Sequence, residues 1–218
     1  MTVLDVRLYV VTDPELTPPD RLVDMVLAAV RGGATLVQLR DKEATADALY
    51  DQAVALRDAL APRGVPLVVN DRVDVAGRAG VGVHVGIHDT PPAEARAELG
   101  PDAIVGWSIE DEGQLGDAEQ VAACSYLAAS PVWATPTKGD TGPPLGPDGV
   151  AHIRWRTDLP LVGIGGISNV NRVAAVIAAG ADGVACISAV FGAADPEAAA
   201  RELRHSVDVT LAERSVIP

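Results

Sequence analysis

Alternation of two sequence patterns constrains the fold of this chain more than any other feature. Short runs rich in β-branched residues are followed, eight times over, by alanine-rich segments whose apolar residues recur with helical spacing. The strands are predicted near residues 6–11, 35–39, 66–69, 82–85, 103–107, 126–129, 161–164 and 183–187. The helices are predicted near residues 20–31, 46–60, 73–79, 93–99, 111–122, 149–156, 171–179 and 196–211.

Eight βα units in 218 residues predict an α/β fold, a (β/α)8 TIM barrel that forms a single domain over residues 1–218. An open doubly wound sheet is the alternative. That fold normally has a glycine-rich nucleotide turn after its first strand, and Val11-Thr12-Asp13-Pro14 is not one. In a barrel the site lies beyond the carboxyl ends of the strands, so the polar residues there are the candidates for function.

Charge and composition exclude several kinds of partner. A net charge of −13 disfavours nucleic acid and anionic membranes, and an aromatic content of 3% leaves few rings for stacking bases. The chain has no apolar run of transmembrane length, its start lacks a secretory signal, and Cys124 and Cys186 form no CxxC motif. We therefore expect a cytoplasmic enzyme with reduced core cysteines that acts on small molecules. Assembly into a homo-oligomer stays open.

Lysine occurs only twice, at Lys42 and Lys138, against fifteen arginines. A compact ammonium binds phosphate as a point charge, so we interpret both lysines as phosphate ligands; an arginine-biased composition is the alternative. Alternation along the second strand turns Gln38 and Arg40 toward the barrel mouth, where they and Lys42 form a predicted anion grip. Alternatively, Arg40 pairs with a carboxylate of another strand. Lys138 lies in an irregular stretch, 130–147, whose position after the sixth strand is typical of a catalytic loop.

Two carboxylates follow adjacent predicted strands, Asp71 after the third and Asp89 after the fourth. Such a pair, facing a basic grip, suits Mg²⁺ that also holds substrate phosphate oxygens, because Mg²⁺ takes few protein carboxylates. In the alternative, Asp71 caps a helix and Asp89 shapes a turn. His84 and His88 suggest zinc, but a further strong zinc ligand is missing from the sequence nearby.

Three more strand ends carry candidates. Ser108 is predicted to point inward, and because no His–Asp pair is placed to activate it, we expect it to form hydrogen bonds rather than act as a nucleophile. After the seventh strand, GIGGIS allows backbone amides to approach an anion closely. After the eighth, Ser188 is predicted to open the last helix. These two loops predict a phosphate cradle.

Together these segments resemble the thiamine-phosphate synthase family. LVQLRDK, VVNDRVDVA, GVHVGIHDTP, SPVWATPTKGD, GIGGIS and DGVACISAVFG follow that family's order and spacing, from Tyr9 to Phe191. The resemblance implies a TIM barrel that joins hydroxymethylpyrimidine diphosphate to a thiazole phosphate, giving thiamine phosphate and pyrophosphate. It further implies Mg²⁺ on Asp71 and Asp89.

The resemblance also implies a role for each substrate-binding residue. The diphosphate ligands would be Gln38, Arg40, Lys42, Asn70 and Lys138; Ser108 would contact the pyrimidine or its leaving group; and the thiazole phosphate would be held by Thr135, Thr137, Gly166, Ile187 and Ser188. Of these, Lys138, Arg40 and Ser108 would be catalytic. Departure of diphosphate ahead of attack by the thiazole nitrogen needs preorganised positive charge rather than a nucleophile or base, which agrees with these residue types.

Two positions depart from the family pattern, and two other functions share the fold. The family often has Gln at Ile87 and His at Glu110, so neither residue is given a role. The first alternative is a thiazole tautomerase, which would lack the diphosphate grip and the metal carboxylates. The second is a non-catalytic phosphate-binding regulator, which could lose Asp71 or Lys138. Both residues are present.

Overall fold

The computed structural model describes residues 4–134 and 142–215. Eight strands in these ranges pair in parallel and in chain order into a closed barrel, with the first strand also paired to the eighth. They are β1 (Leu8–Val11), β2 (Leu36–Leu39), β3 (Leu67–Asn70), β4 (Gly82–Val85), β5 (Val105–Ile109), β6 (Tyr126–Ala129), β7 (Leu161–Ile164) and β8 (Gly183–Cys186). The predicted barrel is confirmed, and the pairing of β1 with β8 excludes the open sheet.

Helices surround the strands. They are α1 (Leu22–Arg31), α2 (Ala46–Leu60), α3 (Val73–Ala79), α4 (Pro92–Leu99), α5 (Ala118–Ala123), α6 (Gly146–Trp155), α7 (Val170–Ala178), α8 (Ser188–Phe191) and α9 (Pro196–Arg214), with 3-10 turns at Ala61–Arg63 and Glu112–Gly116. Within the described ranges, none of them combines the length and apolarity that crossing a bilayer demands. The single domain over residues 1–218 stays a prediction.

Strand side chains alternate between the inside of the barrel and the helix layer. Val37 and Leu39 join the outer core between strands and helices, whereas Leu36 joins the inner core, as the alternation predicts. Nearly all inner positions are filled by buried side chains, so the barrel is a packed core. The inner core includes Tyr9, Val11, Leu36, Val68, Tyr126, Ala128, Val162, Ile164 and Ala185.

Local signals in the sequence explain many helix ends. Thr45 accepts a hydrogen bond from the Ala48 amide at the start of α2, and Asn169 accepts one from the Arg172 amide at the start of α7. Gly64 follows the 3-10 turn after α2 with φ +64°, a left-handed conformation that glycine adopts without a Cβ penalty.

Two predicted helices were wrong in detail. The helix predicted over residues 111–122 is a 3-10 turn followed by α5, because Asp117 accepts a hydrogen bond from the Gln120 amide and starts a new helix. Ser188 does not open the last helix. It opens α8, which is only four residues long, and α9 begins separately where Asp195 caps the Ala198 amide at 3.0 Å.

Candidate active site

Asp71 comes directly after β3 in a conformation that non-glycine residues rarely adopt. Its φ is +62°, and its amide donates a hydrogen bond of 2.8 Å to the His84 carbonyl of β4. Such a left-handed residue costs about 1 to 3 kcal/mol and persists where the surroundings hold it, often in a functional site. The Asp71 carboxylate lies 3.9 Å from Lys42 Nζ. Lys42, a predicted ligand of the diphosphate, and Asp71, a predicted ligand of Mg²⁺, are therefore neighbours.

Asp89 faces Asp71 from the loop after β4. Its Oδ2 accepts a hydrogen bond of 2.7 Å from the Gly86 amide, which fixes the carboxylate. Burial, and after it the neighbouring Asp89, raise the pKa of Asp71 to about 6, while Lys42 and Asn70 act in the opposite direction. An acidic pair of this kind is a candidate site for a cation.

The donor set fits Mg²⁺ better than zinc. Among the residues described, no cluster of three or more His, Cys, Asp or Glu side chains could hold a metal. Mg²⁺ needs no such cluster, because it binds through one or two carboxylates and completes its shell with water and substrate phosphates. His84 instead uses its ring nitrogens on Tyr126 and Ser108, which disfavours the zinc alternative.

Arg40 lies near a carboxylate that follows another strand, which was the alternative interpretation of this residue. Its side chain is 11% exposed and its Nη1 lies 3.8 Å from Asp13 Oδ2 at the end of β1. Its backbone is held by Thr12, whose hydroxyl accepts a hydrogen bond of 2.9 Å from the Arg40 amide. Arg40 Nε is buried and has no hydrogen-bond partner in the part of the chain described. A buried donor without an acceptor suits an incoming anion.

Gln38 and Ser108 lie at the two ends of a hydrogen-bonded chain that crosses the barrel interior. Gln38 Nε2 donates to the Tyr9 hydroxyl, and the Tyr126 hydroxyl donates to Tyr9 over 2.9 Å. The Tyr126 hydroxyl lies 2.9 Å from His84 Nδ1, and His84 Nε2 lies 3.0 Å from Ser108 Oγ. All five side chains are buried. We call this set the interior chain.

The interior chain defines the surroundings of Ser108. The sequence predicted that no His–Asp pair is placed to activate this serine, and in the structure His84 lies within hydrogen-bond distance of it. The other ring nitrogen of His84 contacts Tyr126 rather than an aspartate. Burial raises the pKa of Tyr126 well above its ordinary value, so this phenol is neutral. A neutral phenol cannot stabilise a charged imidazole as a carboxylate does. The geometry therefore positions the Ser108 hydroxyl for hydrogen bonding, as predicted, rather than for nucleophilic attack.

The loop after β7 is shaped by two glycines. Gly165 and Gly166 have φ of +100° and +66°, and a Cβ on Gly166 would lie 2.8 Å from the Trp133 Cβ. The loop after β6 lies against them, since the Val132 amide donates to the Ile164 carbonyl and the Trp133 amide to the Gly165 carbonyl. Only glycine allows this close approach.

A cavity of about 200 Å³ opens between the loops after β6, β7 and β8. Gly166, Ile187 and Ser188 line it, so the structure brings these predicted phosphate ligands together. Within the described residues, the amides of Gly166 and Ser188 donate no hydrogen bond to a backbone carbonyl. Because α8 has only four residues, its helix dipole is small. It can therefore bind an anion mainly through hydrogen bonds from its first backbone amides.

Thr135, Thr137 and Lys138 lie outside the described residues. The chain on either side of them is tied together, because the Leu145 amide donates 2.8 Å to the Pro131 carbonyl. Glu110, a departure from the family pattern, accepts a hydrogen bond of 3.2 Å from the Gly142 amide.

Several residues at the site escaped the sequence reasoning. Tyr9, Tyr126 and Asp13 have no motif around them, although strand alternation gave enough information to turn both tyrosines inward. Arg172, which lines the cavity, stood within a predicted helix and drew no attention.

Comparisons with known proteins agree with this geometry. Residues 8–190 match the family model for thiamine monophosphate synthase. The chain is 51% identical over 204 residues to the thiamine-phosphate synthase of Xanthobacter autotrophicus, covering 93% of this chain and 96% of that one. It is 47% identical over 203 residues to the thiamine-phosphate synthase of Albidiferax ferrireducens, covering 93% and 92%.

Solved structures give the same result. A thiamine phosphate pyrophosphorylase from Pyrococcus furiosus superposes with a TM-score of 0.85 at 35% identity, covering 95% of this chain and 98% of that one. An orotidine 5'-phosphate decarboxylase from Pyrococcus horikoshii has a TM-score of 0.67 at 13% identity over 91% of this chain and 99% of that one, and shares the fold alone. By its sequence and its barrel, the chain belongs to the thiamine monophosphate synthase family.

Proposed function

We propose that this protein is a transferase that joins a hydroxymethylpyrimidine diphosphate to a thiazole phosphate, releasing pyrophosphate and forming thiamine phosphate. The observation that carries the proposal is that two separate groups of candidate anion ligands lie at one end of the barrel. Arg40 and Lys42 lie with the Asp71–Asp89 pair beyond β2 to β4, whereas Gly166 and Ser188 line a separate cavity beyond β7 and β8. A reaction between two phosphorylated substrates needs both.

The diphosphate belongs to the first of these sites. Arg40 Nε, which has no partner within residues 4–134 and 142–215, and the half-exposed ammonium of Lys42 offer charge-assisted donors to it. Asp71 and Asp89 would hold Mg²⁺, and the neighbouring Asn70 side chain favours the charged form of Asp71 by lowering its pKa. When bound, Mg²⁺ supplies positive charge to the diphosphate oxygens. The carboxylate pair keeps that charge close to the two basic side chains.

Bond changes in the proposed reaction require little acid–base chemistry. The bond between the pyrimidine methylene carbon and the diphosphate oxygen breaks, and its electron pair leaves with the diphosphate. The lone pair of the thiazole nitrogen then forms the new carbon–nitrogen bond. Arg40 and Lys42 stabilise the charge that develops on the leaving group, and Ser108, positioned by His84, contacts the pyrimidine substrate or its leaving group.

The second site takes the thiazole phosphate. Gly166, Ile187 and Ser188 contribute mainly backbone donors there, and the 200 Å³ cavity gives the phosphate group a concave seat. We assign Thr135 and Thr137 to the same phosphate and Lys138 to the diphosphate. These three assignments rest on the family resemblance of the TPTK motif. The buried, free cysteines agree with the proposed cytoplasmic location.

A thiazole tautomerase remains the second candidate of the same fold, and one observation disfavours it. An isomerase that binds a single phosphate needs neither the acidic pair of Asp71 and Asp89 nor Lys42 beside it. Burial and the neighbouring Asp89 raise the pKa of Asp71 to about 6, which suits a site for a metal ion. A phosphate-binding regulator leaves the same groups unexplained.

Incubation of the purified protein with both substrates and Mg²⁺ tests the proposal directly. We expect mass spectrometry to detect thiamine phosphate and pyrophosphate in equal amounts. EDTA should abolish the reaction, and added Mg²⁺ should restore it. Intact substrates after prolonged incubation with Mg²⁺ would refute the assigned activity, and full activity in EDTA would refute the metal site.

A further inference from the structure

Arg172 is a cation at the phosphate cavity that the assignments above leave unused. It is the third residue of α7 and lines the same cavity as Gly166, Ile187 and Ser188. Among the described residues that line the cavity, no other carries a charge. The backbone amides alone would leave a phosphate dianion without a counter-charge.

The guanidinium of Arg172 is held in place by two contacts. Its Nη1 donates a hydrogen bond to the Gly166 carbonyl, and its central carbon lies 4.9 Å from the centre of the Trp133 ring. A guanidinium has five N–H groups, and only one of them donates a hydrogen bond to the Gly166 carbonyl. The side chain is thus fixed beside the cavity, and its other donors have no acceptor among the described residues.

Electrostatics of the free protein do not explain an arginine at this position. The first turn of a helix has a positive potential and favours acidic residues, yet α7 has none there and carries Arg172 instead. In the described part of this acidic protein, no carboxylate lies within ion-pair distance of Arg172. A cation placed against a helix N-terminus without a counter-ion is unfavourable until an anion binds.

We propose that Arg172 is a direct ligand of the phosphate monoester bound in this cavity. The inference rests on the proposed function for the identity of the ester, the thiazole phosphate, but the cavity's affinity for phosphate can be tested without any reaction. Trp133 and the Gly166 carbonyl hold the guanidinium plane, so Arg172 also joins the loops after β6 and β7 around the ligand.

Titration with inorganic phosphate, followed by the shift in melting temperature, tests the proposal in the full chain. A hydrogen bond to a charged group is worth about 1.5 to 3 kcal/mol, so Arg172→Gln should weaken the Kd for phosphate by about ten- to a hundredfold. Arg156→Gln is the matched control, because Arg156 ends α6, is exposed and makes no described ion pair. Its Kd should stay within twofold of the wild-type value.

Phosphate can also bind at Arg40, so the titration is repeated in an Arg40→Gln background, where the loss caused by Arg172→Gln should persist. With both substrates, Arg172→Gln should raise the KM for the thiazole phosphate about tenfold and leave that for the pyrimidine diphosphate within twofold. Equal phosphate affinities in the Arg172 and Arg156 variants would overturn the proposal, and so would an equal rise of both KM values.

Chemical modification of the wild-type protein avoids any effect of substitution on folding. Phenylglyoxal modifies accessible guanidinium groups, and peptide mass spectrometry locates them. Phosphate should protect Arg172 and leave Arg156 reactive. Modification of Arg172 at the same rate with and without phosphate would contradict direct contact. Failure of the condensation assay alone would refute the proposed reaction but not this phosphate site.

Discussion

Beyond β2, β3 and β4 the barrel mouth is built from charged side chains, whereas beyond β7 and β8 it is built mainly from backbone. The charged half comprises Arg40, Lys42, Asp71 and Asp89. The backbone half comprises the loops 164–168 and 186–188, to which Arg172 adds a single charge. Both halves suit phosphate groups, but they do so by different means.

This difference has consequences for substitution. Side chains in the charged half extend from strand ends, so they can be exchanged while the barrel beneath them stays intact. In the backbone half, the shape of the loop is itself the site, and Gly166, which lines the cavity, also packs against Trp133. Stability and binding should be separable in the charged half and inseparable in the backbone half.

The largest expected effect is in the charged half. Asp71→Asn and Asp89→Asn should each lower kcat by about two to three orders of magnitude, the scale for losing one preorganised charge-stabilising element. Neither should lower the melting temperature of the metal-free protein, because each removes repulsion between two carboxylates. Steady-state kinetics with Mg²⁺ and thermal unfolding without it provide the two measurements.

Asp74→Asn is the control for this pair. Asp74 follows Asp71 by three residues but is exposed and pairs with Arg72 at 2.7 Å, so its loss should leave kcat nearly unchanged. If the Asp71 and Asp89 variants unfolded at a much lower temperature than this control, the charged half would contribute to the stability of the barrel. Stability and binding would then not be separable there, which would contradict the proposed difference between the two halves.

In the backbone half, Gly166→Ala should lose stability and phosphate binding together. Gly64→Ala imposes the same left-handed strain, with φ of +64° against +66°, but nothing lies within 4 Å of its Cβ. The free energy of unfolding of Gly166→Ala should therefore be lower than that of Gly64→Ala by about 1 to 3 kcal/mol, the cost of overpacking against Trp133. Urea unfolding measures this difference. Equal losses in the two variants would show that the loop can adjust.

A smaller effect is expected beneath the charged half. Tyr126→Phe removes the central hydroxyl of the interior chain and leaves Tyr9 and His84 each without one partner, at a cost of about 1 to 3 kcal/mol in unfolding free energy. The loss of kcat, transmitted through Ser108, should be smaller than that of the metal-ligand variants. Tyr50→Phe in α2, whose ring contacts Arg78, is the matched control. Equal stability of the two variants would argue against a coupled chain.

The smallest expected effect concerns pH. The raised pKa of Asp71 means that its protonated form stabilises the metal-free protein fully below the ordinary carboxyl pKa, and that this contribution is lost as the pH rises through about 6. Mg²⁺ needs the deprotonated form, so its apparent Kd should be about twofold weaker at pH 6 than at pH 7.5. Calorimetric titration at both pH values, with Asp74→Asn as control, measures the change. A Kd that does not change across this range would contradict the raised pKa of Asp71.

Much of the barrel could be predicted because each βα unit is a local pattern. Strand alternation correctly placed Gln38 and Ser108 inside. The start of α9 at Pro196 agrees with the predicted helix, whereas the separate α8 escaped because four residues are too few to show a helical period.

Contacts between side chains of adjacent strands were harder to predict. The contact of Arg40 with Asp13 joins the ends of β1 and β2, and that of Ser108 with His84 joins β4 and β5, so both depend on how neighbouring strands are aligned. The pattern within one strand gives the face of a side chain but not its partner on a neighbouring strand. The role of Arg172 was hidden for the same reason, since Gly166 and Trp133 belong to other loops.

The interior chain also constrains how this protein can evolve. Gln38, Tyr9, Tyr126, His84 and Ser108 come from five different strands, and loss of any one leaves a neighbour with an unsatisfied polar group in a packed interior. Single substitutions should therefore be selected against even where a fully apolar interior would be tolerated. We expect these five positions to change together among relatives or not at all. Substitutions in the centre of the barrel should therefore be correlated, whereas substitutions on the surface should occur independently of one another.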